Sequence, residues 1–115
     1  MSNAISKLRV TVKNIQTHQP LYGANVYWNK IPCTVQKKST FCNKYKHSET
    51  GLTIDVTNQG GFSLLLGKLF YNSKLWFYIH KIACPGFKEN RIEKHVSVIG
   101  GAERELIFYL MSNDG

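Results

Sequence analysis

At 115 residues the chain is long enough for one domain with a core and too short for two of ordinary size. Hydrophobic residues at 43% exclude global disorder, and no apolar run approaches the roughly 20 residues that a membrane-spanning helix needs. Fifteen Lys and Arg against seven Asp and Glu leave a formal charge of +8, which favours an acidic counterpart such as an anionic glycan, a lipid headgroup, nucleic acid or an acidic protein.

Ser-Asn-Ala at positions 2–4 has the composition of a scar left by an expression tag, so residues 1–4 are set aside and one domain is expected over 5–115. Lys7 to Lys13 alternates: Leu8, Val10 and Val12 point one way, with Lys7, Arg9, Thr11 and Lys13 on the other side. That pattern predicts a half-buried first strand. Pro20 ends a polar loop, and Gly23 can take the positive φ of a tight turn. The second strand follows from Ala24 to Ile31, with Ala24, Val26 and Trp28 on one face.

Residues 32–49 differ from what surrounds them. They hold Cys33, Cys42, Lys37, Lys38, Lys44, Lys46 and His47, with no acidic residue before Glu49. The periodicity is poor and the segment is longer than ordinary sandwich connections, so it reads as an insertion on a simpler scaffold. Cys33 and Cys42, nine positions apart in a loop without apolar anchors, are expected to form a disulfide, leaving Cys84 reduced and buried. Closing such a loop stabilises by roughly 2.7 kcal/mol if strain is small.

Leu52 to Thr57 resumes strand composition, and Asn58-Gln59-Gly60-Gly61 makes a turn. Phe62, Leu64 and Leu66 are expected on the core face of the next strand. Leu75, Phe77 and Ile79 then alternate with Trp76, Tyr78 and His80, and Pro85-Gly86 breaks the chain. Strands around Val96 and Val98 and around Leu106, Phe108 and Leu110 complete the set. Seven strands without a helix predict an all-β, seven-stranded Greek-key sandwich. Its expected core is Leu8, Val10, Val12, Ala24, Val26, Phe62, Leu64, Leu75, Phe77, Val96, Leu106 and Phe108.

The order of these signals resembles the carboxypeptidase regulatory-like domain, a small transthyretin-like sandwich related in architecture to immunoglobulin-like folds. Pro20, Leu21, Gly23, Ala24 and Val26 match its Pro-Leu-x-Gly-Ala-x-Val segment, and Gly86-Phe87 its Gly-Phe after a strand. Gly60 and Phe62 fit its Thr-Asp-x-x-Gly-x-Phe turn, but Val56 and Thr57 stand at the Thr-Asp positions. The resemblance implies a non-catalytic module that accompanies enzymes, surface proteins or transporters, usually outside the cytoplasm. With the expected disulfide, it points to a periplasmic, cell-surface or secreted location.

The chemistry-bearing residues add little to support an enzyme. His18, His47, His80 and His95 lack metal-motif spacing, there is no Cys-x-x-Cys, and no Gly-x-Ser-x-Gly elbow occurs. No metal, cofactor or catalytic residue is therefore assigned. Only three of the fifteen cations are Arg, the side chain that phosphate and base forks prefer, so nucleic acid is disfavoured. Two candidate binding surfaces remain. The cluster Lys37, Lys38, Lys44 and Lys46 is either an electrostatic docking loop or a solvated excursion. The strand face Trp76, Tyr78 and His80 forms an aromatic platform if it points outward but is closed if both faces of a central strand are covered, the reading preferred here. Together they suggest a non-enzymatic module contacting a protein or acidic glycan. The alternatives are a small hydrolase or metal-dependent enzyme built from His80, His95 and Cys84, and a structural spacer.

Overall fold

The structure, a computed structural model, describes residues 3–31, 52–70 and 74–114. Cys33, Cys42, Lys37, Lys38, Lys44 and Lys46, and with them the expected disulfide and lysine cluster, lie outside the described residues. Seven strands follow in order: β1 (Asn3–Asn14), β2 (Asn25–Ile31), β3 (Thr53–Val56), β4 (Phe62–Phe70), β5 (Lys74–Ala83), β6 (Asn90–Ile99) and β7 (Glu103–Leu110). They form a three-stranded sheet ordered β4-β1-β7 and a four-stranded sheet ordered β3-β2-β5-β6. The fold is an all-β sandwich, as the alternation predicts. β1 begins earlier than expected, because Asn3 and Ala4, set aside as tag-derived, pair with Phe70 and Leu69.

Leu8, Val10 and Val12 of β1 meet Val26, Trp28, Phe77, Ile79, Val96 and Val98 from the other sheet in a solvent-excluded core. Leu106 and Phe108 pack against it from β7. Thr57 fastens the turn that leads into β2: its Oγ1 donates to the Leu21 carbonyl (2.6 Å) and accepts from the Ala24 amide (2.9 Å). Gly23 there has φ +80°, the conformation expected of it.

The expectation for β4 is overturned. Leu65, not Leu64, lies in the core, fully buried, while Leu64 and Leu66 are 37% and 47% exposed and Phe62 is also turned outward. The pairing with β1 sets Ser63 opposite Val10 and Leu65 opposite Leu8, and opposed residues share a face. The inward parity is fixed at Gly67, where a Cβ would stand 2.0 Å from Leu75 Cδ2 of the facing sheet. A side chain cannot occupy that position while Leu75 fills it.

β5 contains a second irregularity. Its register with both β2 and β6 shifts at His80, and Glu93 opposite adopts φ +47°. The bulge reverses the alternation, so that inward positions run Phe77, Ile79 and then Ile82.

Candidate functional site

The outer face of the four-stranded sheet carries the aromatic residues singled out by sequence. Asn29, Tyr78 and His95 are directly opposed across β2, β5 and β6. His80 sits at the bulge, packed edge-on to Tyr78 at 4.4 Å between ring centroids, while His95 packs on Tyr78 at 4.6 Å. Trp76 meets His95 edge-on at 6.5 Å. His80 Nε2 and Asn29 Oδ1 lie within hydrogen-bonding distance, 2.5 Å apart, tying the imidazole to β2.

Tyr78, however, does not form an open platform. It is 1% exposed although it lies outside the inter-sheet core, and among the described residues its hydroxyl has no hydrogen-bond partner. Burial pushes that hydroxyl above its usual pKa; Glu93 adds to the rise and Arg91 opposes it. Trp76 and His80 are half-buried beside it. The accessible part of this face is thus Trp76, His80 and His95, with Tyr78 as the floor between the imidazoles.

The residues of the enzyme alternative are only partly gathered. His80 and His95 both reach Tyr78, whereas Cys84 lies just beyond β5, its Sγ 4.0 Å from the Tyr22 carbonyl. Cys84 is a free thiol, half-buried rather than buried, and burial raises its pKa, the reverse of nucleophile activation. Among the described residues no three His, Cys, Asp or Glu side chains form a group able to hold a metal.

The outer face of the three-stranded sheet was not anticipated. Arg9 lies over the Phe62 ring at 4.3 Å and pairs with Glu103 at 3.5 Å, while Thr11 Oγ1 donates to Glu105 at 3.4 Å. Around this polar centre Ile5, Leu64, Leu66, Ile107 and Tyr109 are exposed. The sequence signal was present in Gly67: counting alternation back from it turns Leu64 and Leu66 outward.

No family model matches the chain, and no curated protein matches it. Among solved structures the fold is similar to the TIE protein of Bacillus anthracis, at 14% identity and TM-score 0.60, over 95% of this chain and 17% of that one. It is similar to 3-chlorocatechol 1,2-dioxygenase from Rhodococcus opacus 1CP, at 12% identity and TM-score 0.58, over 96% of this chain and 61% of that one. It also resembles the pilus 2b backbone protein of group B streptococcus, at 12% identity and TM-score 0.54, over 92% of this chain and 40% of that one. The chain spans less than two thirds of each, and at these identities the likeness is one of fold.

Proposed function

We propose that this sandwich is a non-enzymatic binding or accessory module, of the carboxypeptidase regulatory-like kind, working outside the cytoplasm on a protein or acidic glycan. The observation that carries the reading is the exposed apolar surface, Leu64, Leu66, Ile5, Ile107 and Tyr109 on one sheet face, which suits contact with another molecule. The fold shared with a pilus backbone protein and a TIE protein supports a module that serves within larger surface proteins. In this reading Lys37, Lys38, Lys44 and Lys46 supply charge, and Trp76 and His80 supply contact area above Tyr78. The test changes those four lysines to Ala and measures retention on acidic-glycan and protein arrays at two salt concentrations. Wild type should be retained at low salt and released by added salt, with the variant retained weakly at both. Wild type that binds nothing, or a variant that binds equally well, removes the lysine cluster from the proposal.

One observation favours the enzyme alternative: His80 and His95 both pack on the buried Tyr78. Equimolar metal in protein purified without chelator would move the reading towards a metal-dependent enzyme.

A further inference from the structure

A sheet in a sandwich ends in two edge strands, and each edge presents unpaired backbone N–H and C=O groups. Three of the four edges here are blunted. β3 is only four residues long. β6 carries Arg91, Glu93 and Lys94 and is bent where Glu93 takes φ +47°. Along the end of β7 runs the segment after β5: the Lys88 amide bonds the Met111 carbonyl, Asn113 bonds Gly86, and Asn90 Nδ2 takes the Tyr109 carbonyl.

Among the described residues β4 has none of these devices. Its nine residues contain no proline, its pairing with β1 runs without a register shift, and its first charge is Lys68. Among the described residues nothing pairs with its outer edge. Beside that edge Phe62, Leu64 and Leu66 form an outward apolar row, ending in a shallow groove of about 370 Å³ lined by Ile5, Lys30, Leu66, Gly67 and Lys68.

Charge selects the occupant. The nearby carboxylates are engaged elsewhere, Glu103 with Arg9 and Glu105 with Thr11. Among the described residues Lys7, Lys30 and Lys68 have no carboxylate in ion-pair range. A second copy would bring another +8 to the edge. We infer that the outer edge of β4 takes an extended segment of a partner protein as a further strand, apolar along Phe62–Leu66 and acidic at the Lys68 end. Backbone hydrogen bonds supply the pairing; the lysines fix direction, because acidic residues at the partner's start place an antiparallel strand in register with Lys68.

The inference uses none of the four lysines between residues 37 and 46, so its failure is distinct from failure of the array test. The probe is a synthetic peptide, Asp-Glu-Thr-Val-Thr-Val-Thr-Val, titrated into the isotope-labelled full chain and followed by NMR and amide exchange. Expected are shifts and slowed exchange in β4 and around Lys30, weakened by salt. The double variant Lys30→Glu/Lys68→Glu, both at exposed positions, should bind about tenfold more weakly with an unchanged melting midpoint. N-methylating alternate peptide amides should abolish binding in one phase and spare it in the other, because a strand pairs through every second amide. Equal binding by both methylated peptides overturns strand addition. So do shifts that map elsewhere, or no binding at millimolar peptide. Protection of β4 amides that grows with protein concentration alone would make a second copy the occupant and overturn the acidic partner.

Discussion

The two sheets share one core but finish their outer faces in opposite ways. On the four-stranded sheet the outward residue at the middle of β5, Tyr78, is closed to solvent between His80 and His95, whereas on the three-stranded sheet the outward leucines of β4 stand open. Residue type alone would suggest the reverse, since a tyrosine can leave its hydroxyl in water and a leucine has nothing to offer it. The difference teaches that position in the sheet outranks side-chain polarity: β5 is hydrogen-bonded on both sides, and β4 is an edge.

The largest effect that can break this comparison lies within β4 itself. Leu65→Ala should cost about 2–5 kcal/mol, because it empties a fully buried site, while Leu64→Ala should change stability by about 0.5 kcal/mol or less. Urea denaturation of the two variants decides it, and a reversed order would mean that the strand faces the other way. Next comes Gly67→Ala, whose new methyl group meets Leu75 Cδ2; a loss of about 1–3 kcal/mol is expected in the same assay. A comparable loss, about 1–3 kcal/mol, should follow Thr57→Val, which keeps the shape but leaves the Ala24 amide and the Leu21 carbonyl without their shared partner.

These substitutions also mark what could be read in advance. β1 and β2 were legible because polar residues, Lys7, Arg9 and Lys13 in β1 and Asn25 in β2, alternate with the core ones, so alternation and burial coincide at Leu8, Val10, Val26 and Trp28. β4 misled because it is apolar on both faces: Leu64-Leu65-Leu66 fits either parity, and only the space needed by Leu75 breaks the tie. Past His80 the alternation of β5 fails for a different reason. A bulge is a property of two paired strands, and nothing local in Ile79-His80-Lys81 announces the turn of Glu93 opposite. On the candidate site, the sequence correctly put Trp76, Tyr78 and His80 on one side of a strand. An open platform and a covered face were both compatible with that alternation, and the burial of Tyr78 answers to the covered face, because outward and exposed are different properties.

The subtlest expected effect sharpens the other side of the comparison. Tyr78→Phe removes a buried hydroxyl that has no partner among the described residues, so it should leave stability unchanged or raise it by up to about 1 kcal/mol. The same hydroxyl titrates above its ordinary value of 10.0 in the folded chain. Below pH 10.0 the phenol is neutral in both states and adds no pH dependence; as pH rises from 10.0 through the higher folded value the unfolded chain loses this proton first, so stability falls over that window. Denaturation measured across alkaline pH should show a smaller loss in the phenylalanine variant, and ultraviolet titration should lose its late-ionising phenol.

The pairing of β1 with β7 has a mechanical meaning. The two strands run parallel, from Lys7 opposite Glu103 to Asn14 opposite Leu110. Lys7 and Leu110 therefore sit at opposite ends of the ladder, roughly 23 Å apart at about 3.3 Å per residue. Tension applied between those two points slides the strands past one another, so the interstrand bonds resist together in shear. They cannot open one at a time, as they would in a hairpin pulled from its free ends. Force along the strands therefore meets the whole β1–β7 ladder at once.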